Sequence, residues 1–230
     1  MFRREIDGLL LTFHLAGINN QNFLMRDEET GTYWQQISGM AVAGALKGRQ
    51  LKLIPADELT FALWKTEQPA GTVLQDATQY ASGYAPPNWD EKMQKTPTVL
   101  SYPESGLKPR DLMLGIHAFG ASRAFPYEAV RQQKLIQNHV GTEPVILVVG
   151  PDGESVRAFR QKIPGVAETP EFYRMQNGSF LMDSATGANW NFQGCATSGK
   201  LQGVCLERVD VIKDYWFDWR NYNPDTSVYR

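Results

Sequence analysis

Apolar positions fall in short runs separated by polar turns, and no long helical stripe is present. The longest apolar run, residues 144–150, suits one buried strand and is far too short to span a membrane. Residues 112–117 and 123–125 flank Phe119-Gly120-Ala121-Ser122, the pattern of a hairpin. Pro126 stands at a helix-start position ahead of Tyr127–Gln133. Pro151-Asp152-Gly153 predicts a turn, because Pro presets φ and Gly tolerates positive φ, and Val156–Arg160 then returns as a strand. Short helices are expected within 56–65 and 210–222. The expected class is α+β with strands dominant.

The pattern also repeats. Asp27-Glu28-Glu29-Thr30-Gly31-Thr32-Tyr33-Trp34 returns 156 positions later as Asp183-Ser184-Ala185-Thr186-Gly187-Ala188-Asn189-Trp190. One residue is then lost. At an offset of 155, Gly39, Ala41, Gly44, Leu46, Gly48 and Leu51 pair with Gly194, Ala196, Gly199, Leu201, Gly203 and Leu206. Trp64, Pro69 and Val73 pair with Trp219, Pro224 and Val228. So long a period is not that of a solenoid or propeller blade, whose repeats run about 20–50 residues. The reading is two pseudo-twofold-related copies of one β-rich module with short helices: 1–75 the first, 76–110 a wrapping connection, 111–230 the second. The first copy lacks a counterpart of residues 112–152, so it reads as incomplete at its start. In the connection, Pro-broken and polar, Tyr80, Tyr84, Trp89, Leu100 and Tyr102 offer apolar anchors.

In the repeated turn, the Asp carboxylate is expected to accept backbone N–H groups two or three residues on. Thr30 and Thr186 support it with their hydroxyls, and Gly31 and Gly187 supply a left-handed residue. Trp34 and Trp190 then open the return strand and pack over the hairpin. This is a structural role for Asp27, Thr30, Gly31, Trp34, Asp183, Thr186, Gly187 and Trp190. Further on, Gly194-Cys195-Ala196-Thr197-Ser198-Gly199-Lys200-Leu201 nearly spells a phosphate loop, but Leu201 stands where Mg²⁺ needs a hydroxyl, so the nucleotide reading is rejected.

Composition narrows the classes. With 23 Lys+Arg against 25 Asp+Glu, the formal net charge is -2, which gives no electrostatic footprint for nucleic acid. Hydrophobic residues at 42% and charged residues at 21% describe a globular chain. Cys195 and Cys205 are equidistant from Lys200, so a hairpin centred there sets them opposite each other. A cross-strand disulfide and two free thiols both fit, and the compartment decides between them. No Cys-x-x-Cys occurs, and His14, His117 and His139 lack metal-ligand spacing, so no metal site is predicted. Neither a nucleophile elbow nor any other reaction motif appears, and the sequence names no cofactor. Asn177-Gly178-Ser179 matches a glycosylation acceptor and reads as a turn.

One segment stands out. Residues 12–23 hold His14 with Asn19, Asn20 and Asn22, and nothing as polar precedes Asp183 in the second copy. That asymmetry makes Asn19, Asn20 and Asn22 candidate binding residues, and His14 with Asp27 or Glu5 candidate acid–base or mixed metal-site residues assembled by folding.

At Leu11-Thr12-Phe13-His14-Leu15-Ala16-Gly17, at the Asp27 turn with Gln36, and at 39–51 and 64–73, the chain resembles the bacterial family called domain of unknown function 3179. Ala124-Phe125-Pro126-Tyr127, Asn138-His139-Val140-Gly141 and 183–228 carry the same resemblance. It implies an extracytoplasmic protein, periplasmic or membrane-associated, although this sequence shows no signal peptide. The expected function is a non-catalytic binding or structural module within an assembly, its partner another protein chain or subunit near the N-terminus. The alternative is an enzyme with a metal or acid–base site between the modules that uses His14.

Overall fold

The computed structural model describes residues 1–175 and 180–230, so Asn177-Gly178-Ser179 lies outside the described residues. In chain order the first strands are β1 (Glu5–Ile6), β2 (Leu9–Leu10), β3 (Phe13–Asn19), β4 (Asn22–Asp27), β5 (Tyr33–Gln35) and β6 (Ala41–Ala43). Helices α1 (Phe61–Glu67) and α2 (Trp89–Lys95) follow, then β7 (Leu112–Ala118), β8 (Ala121–Pro126) and α3 (Tyr127–Gln133). The next strands are β9 (Leu135–Val140), β10 (Glu143–Val149), β11 (Val156–Arg160), β12 (Phe172–Arg174), β13 (Leu181–Asp183) and β14 (Asn189–Trp190). The chain closes with β15 (Arg208–Val209), β16 (Ile212–Tyr215), α4 (Trp216–Tyr222) and β17 (Ser227–Val228). The fold is α+β and strand-dominated.

Two compact units form, each discontinuous in sequence. The first takes Met1–Asp57, Thr98–Phe125 and Ile212–Arg230; the second takes Glu58–Pro97 and Pro126–Val211. Residues 1–75, 76–110 and 111–230 each contribute to both.

In the first unit, β3-β4-β5-β6 form one sheet, β16-β7-β8-β17 a second, and β1-β2 a hairpin. Leu11, Trp34, Ala41 and Leu51 are buried together, with Phe2 and Ile6 packed against them. A second core joins Met113, Ala124, Trp216 and Trp219. Gly115 on β7 is required there: a Cβ would stand 2.3 Å from the Trp219 ring, closer than any side-chain carbon can pack. Residues 210–215 were expected to be helical, but Ile212–Tyr215 pairs antiparallel with β7, and the helix begins only at Trp216.

In the second unit, β15-β11-β10-β9 surround the apolar run of β10, and β12-β13-β14 make a smaller sheet. The core collects Ile146, Val148, Phe159, Phe172, Leu181 and Trp190, and α1 adds Leu63. Thr60 caps α1 by accepting from the Leu63 amide (3.3 Å), and its hydroxyl donates to Asp152 (2.7 Å). Helix α3 starts after Pro126, as the sequence predicts. Of the expected anchors in the connection, Tyr80, Tyr84 and Trp89 are instead exposed, while Tyr102 packs against the Trp216 core. Polar Pro-rich sequence leaves those three rings nothing apolar to bury against.

Candidate functional site

The two repeated turns close on the same bonds. Asp27 accepts from the Thr30 amide (2.5 Å) and hydroxyl (2.8 Å) and from Trp34 Nε1 (2.6 Å). Asp183 accepts from the Thr186 amide (2.6 Å) and hydroxyl (2.9 Å), Trp190 Nε1 (2.9 Å) and the Ala188 amide (3.2 Å). Gly31 and Gly187 take φ of 67° and 68°. Burial works to raise both carboxyl pKa values, but the tryptophan N–H and the threonine donors win and hold both below the usual carboxylate value. Both aspartates are fully buried and engaged within their own turns. Asp27 therefore holds a turn and offers no free carboxylate.

Cys195 and Cys205 form an antiparallel bridge and are joined by a disulfide; Met40 and Gln50, 155 positions earlier, form the same kind of bridge. The bridge at Met40 and Gln50 closes without cysteines.

The remaining candidates lie on the β3–β4 hairpin. His14 sits on β3, its Nε2 bonded to Glu28 Oε1, with both side chains more than half exposed. Among the described residues, no group of three or more His, Cys, Asp or Glu side chains stands close enough to hold a metal. Asn20 and Gln21 form the hairpin turn with φ of 49° and 67°, the conformation of a two-residue primed turn. Asn20 thus serves the turn.

Asn19 and Asn22 meet α4. The Tyr222 hydroxyl donates to the Asn19 carbonyl (3.3 Å), and the buried Asn22 amide donates to Asp218 Oδ2 (3.0 Å). Around that bond lies a group the sequence reading missed. Asp214, the third residue of β16, and Asp218, the third of α4, hydrogen-bond to each other, with the Arg110 charge beside Asp218. Arg110 lies 4.8 Å from the centroids of both the Tyr215 and Phe217 rings. The Tyr215 amide donates to Asp214 Oδ1 (2.7 Å). Asp214 Oδ2, Asp218 Oδ1 and Asn22 Oδ1 are closed to solvent and receive no donor among the described residues.

Two carboxylates cannot satisfy each other while both are ionised, and a single shared proton resolves both bare oxygens. Burial, then the Asp218 charge, push the Asp214 carboxyl up to about 8. Burial also raises Asp218, opposed by the Asn22 and Asp214 hydrogen bonds and by Arg110. Tyr222 is raised by burial and then by the Asp218 charge. Chemically, the cluster is a proton-holding carboxyl pair beside one guanidinium, close to neutral when one proton is bound.

A signal for it existed. At the offset of 155, Asp214 and Asp218 stand where Leu59 and Leu63 do, next to the matched Trp64 and Trp219. The two seven-residue helices even end alike, at Gln68 (φ −129°, ψ 65°) and Asn223 (φ −130°, ψ 68°). One helix buries leucine where the other buries a carboxyl.

The other distinctive feature is an edge. Among the described residues β3 pairs only with β4, and a bulge at Ala16 breaks the register between Leu15 and Gly17. On this hairpin Leu15 is 64% exposed, Ile18 68% and Phe23 49%, an apolar density a surface hairpin does not need. The N-terminal stretch itself is tied in: Phe2 bridges Leu53, and the Leu11 amide bonds the Arg4 carbonyl (2.7 Å).

These features define a strand-dominated α+β protein with a buried carboxyl pair and an exposed apolar strand edge. The chain belongs to the family described as protein of unknown function (DUF3179), which matches residues 1–226. No curated protein and no solved structure matches it. Among the described residues, no helix is long and apolar enough to cross a membrane.

Proposed function

We propose that the chain is a non-catalytic, extracytoplasmic binding or structural module that acts in an assembly, taking a partner chain along β3. The observation that carries this reading is the β3 edge, seven residues long, with Leu15 and Ile18 exposed on it and Phe23 beside it. Such an edge presents backbone donors and acceptors to a second strand, while its side chains reward burial. The bulge at Ala16 divides it, which limits pairing with an identical edge and favours a partner shaped to it. The Cys195–Cys205 disulfide supports the oxidising compartment.

We also read the chain as two copies of one module, the first shortened at its start. The matched Asp27 and Asp183 turns, the paired bridges at Met40–Gln50 and Cys195–Cys205, and the like-ended helices α1 and α4 support it.

The test is native mass spectrometry on protein purified from its source, beside a Leu15→Lys, Ile18→Lys variant expressed in the same host. The expected result is a species heavier than the chain in the parent and a bare chain in the variant. A bare monomer in both would refute the partner. An unchanged heavy species in the variant would move it off β3.

A further inference from the structure

Within the second unit, a pocket of ≈320 Å³ opens between the end of α3, the end of β10 and the end of β12. Lys134, Arg131 and Arg174 line it, with Gly150 and Gly153 of the turn after β10. The three cations differ in how they are balanced. Arg131 is held by Glu154 (2.7 Å) and Glu128 (3.3 Å). Lys134 and Arg174 have no carboxylate partner among the described residues, and no acidic residue occurs in the sequence between Arg174 and Asp183.

Arg174 is also aimed. Its Nη1 donates to the Val149 carbonyl (2.6 Å), and its guanidinium carbon lies 4.5 Å from the Phe180 ring centroid. Stacking and one fixed bond orient the plane, while Nε and Nη2 carry no hydrogen bond among the described residues. Burial lowers the Arg174 pKa, the signature of a cation without a compensating charge. A half-buried guanidinium held by carbonyls alone is costly unless an anion completes it. The backbone amides nearby are already used, Gly150 to the Ser155 carbonyl and Gly153 to the Gly150 carbonyl. The fork of Arg174 and the ammonium of Lys134 therefore supply the donors.

We infer that this pocket is a binding site for the oxyanion end of a small molecule, a carboxylate or a phosphate, gripped by Arg174 in a two-pronged contact and by Lys134 as a point charge. The inference is independent of the β3 edge and stands or falls without it.

The experiment titrates inorganic phosphate and, separately, acetate into the full chain at constant ionic strength, following the Arg174 Nε–Hε and Gly153 amide resonances. Saturable shifts are expected for at least one anion, with half-saturation in the millimolar range. Arg174→Gln should weaken binding at least tenfold and Lys134→Gln severalfold, while Lys162→Gln, at an exposed position elsewhere in the unit, should leave it unchanged. Tighter phosphate binding assigns a phosphorylated ligand, and tighter acetate binding a carboxylate. Shifts that stay linear, or that respond equally to Lys162→Gln, overturn the site. If Arg174→Gln fails to fold through loss of the Val149 contact, Lys134→Gln decides alone, because it leaves that contact in place.

Discussion

The carboxyl pair makes a quantitative prediction about pH. The Asp214 carboxyl holds its proton to about 8 in the folded chain, whereas an ordinary Asp releases it near 3.8. Between those limits the native state binds more protons than the unfolded state, so stability falls as pH rises. One extra bound proton sets a slope of about 1.4 kcal/mol per pH unit, so roughly 2–3 kcal/mol is lost between pH 5 and pH 7. Asp214→Asn replaces the shared proton with a permanent amide donor of the same shape and removes this term. The assay is urea unfolding of parent and variant at half-unit pH steps from about 5 to about 9.5, with the slope on denaturant held in common. Subtracting the two curves cancels the titrating groups that do not interact with the pair. The difference should run in the variant's favour as pH rises and flatten above about 8, where Asp214 is ionised in both states. Tyr222, which also faces the pair, is pushed further up by burial and then by the Asp218 charge, so it keeps its proton across this window. Parallel curves would refute the shared proton.

Trp34→Phe and Trp190→Phe each remove the indole donor from a buried Asp, so each should cost about 1–3 kcal/mol in the same unfolding assay. Both turns hold their carboxyls below the usual value, so their contribution is present above pH 4 and lost as pH falls through the lowered folded pKa; an acid-unfolding titration of Asp27→Asn and Asp183→Asn should show a shallower acid limb. Cys195→Ser with Cys205→Ser opens a link of sequence separation 10 and should cost about 2–3 kcal/mol by thermal unfolding, with no loss of fold. Leu63→Asp puts a carboxyl into the second unit's apolar core, beside the residues that collect around Ile146, Phe159 and Trp190. The expected cost is more than about 3 kcal/mol, read as loss of the folded baseline by circular dichroism.

Local features were legible in the sequence, and long-range ones were not. The Asp27 and Asp183 turns, the start of α3 after Pro126 and the facing cysteines all follow from residues within about ten positions of each other. The indole bond to each turn carboxylate was missed, since spacing alone does not say which way a tryptophan edge points. Residues 210–215 misled because Trp216, Phe217 and Trp219 extend a helical pattern forward, while Ile212–Tyr215 is drawn into a sheet by β7, some hundred residues earlier. Asn22 stood out as polar without a visible reason. Its reason is Asp218, 196 positions away, and only folding brings the two together.

The comparison of α4 with α1 gives the carboxyl pair its weight. Burying a carboxyl without a full set of partners costs several kcal/mol, and leucine at the same helical position stabilises by packing. The second unit uses leucine at both positions, Leu59 and Leu63, and Leu63 is part of its core. A helix of the same length and the same termination can therefore be built here without carboxyls. The first unit instead keeps Asp214 and Asp218, surrounds them with Arg110, Asn22 and Tyr222, and ties the turn end of the exposed β3–β4 hairpin to this cluster through Asn19 and Asn22. Fold alone does not require that choice. It couples the proton on the pair to the hairpin that carries the apolar edge, so changing the charge at Asp218 loosens the bond to Asn22 at the first residue of β4, beside the strand on which a partner would dock.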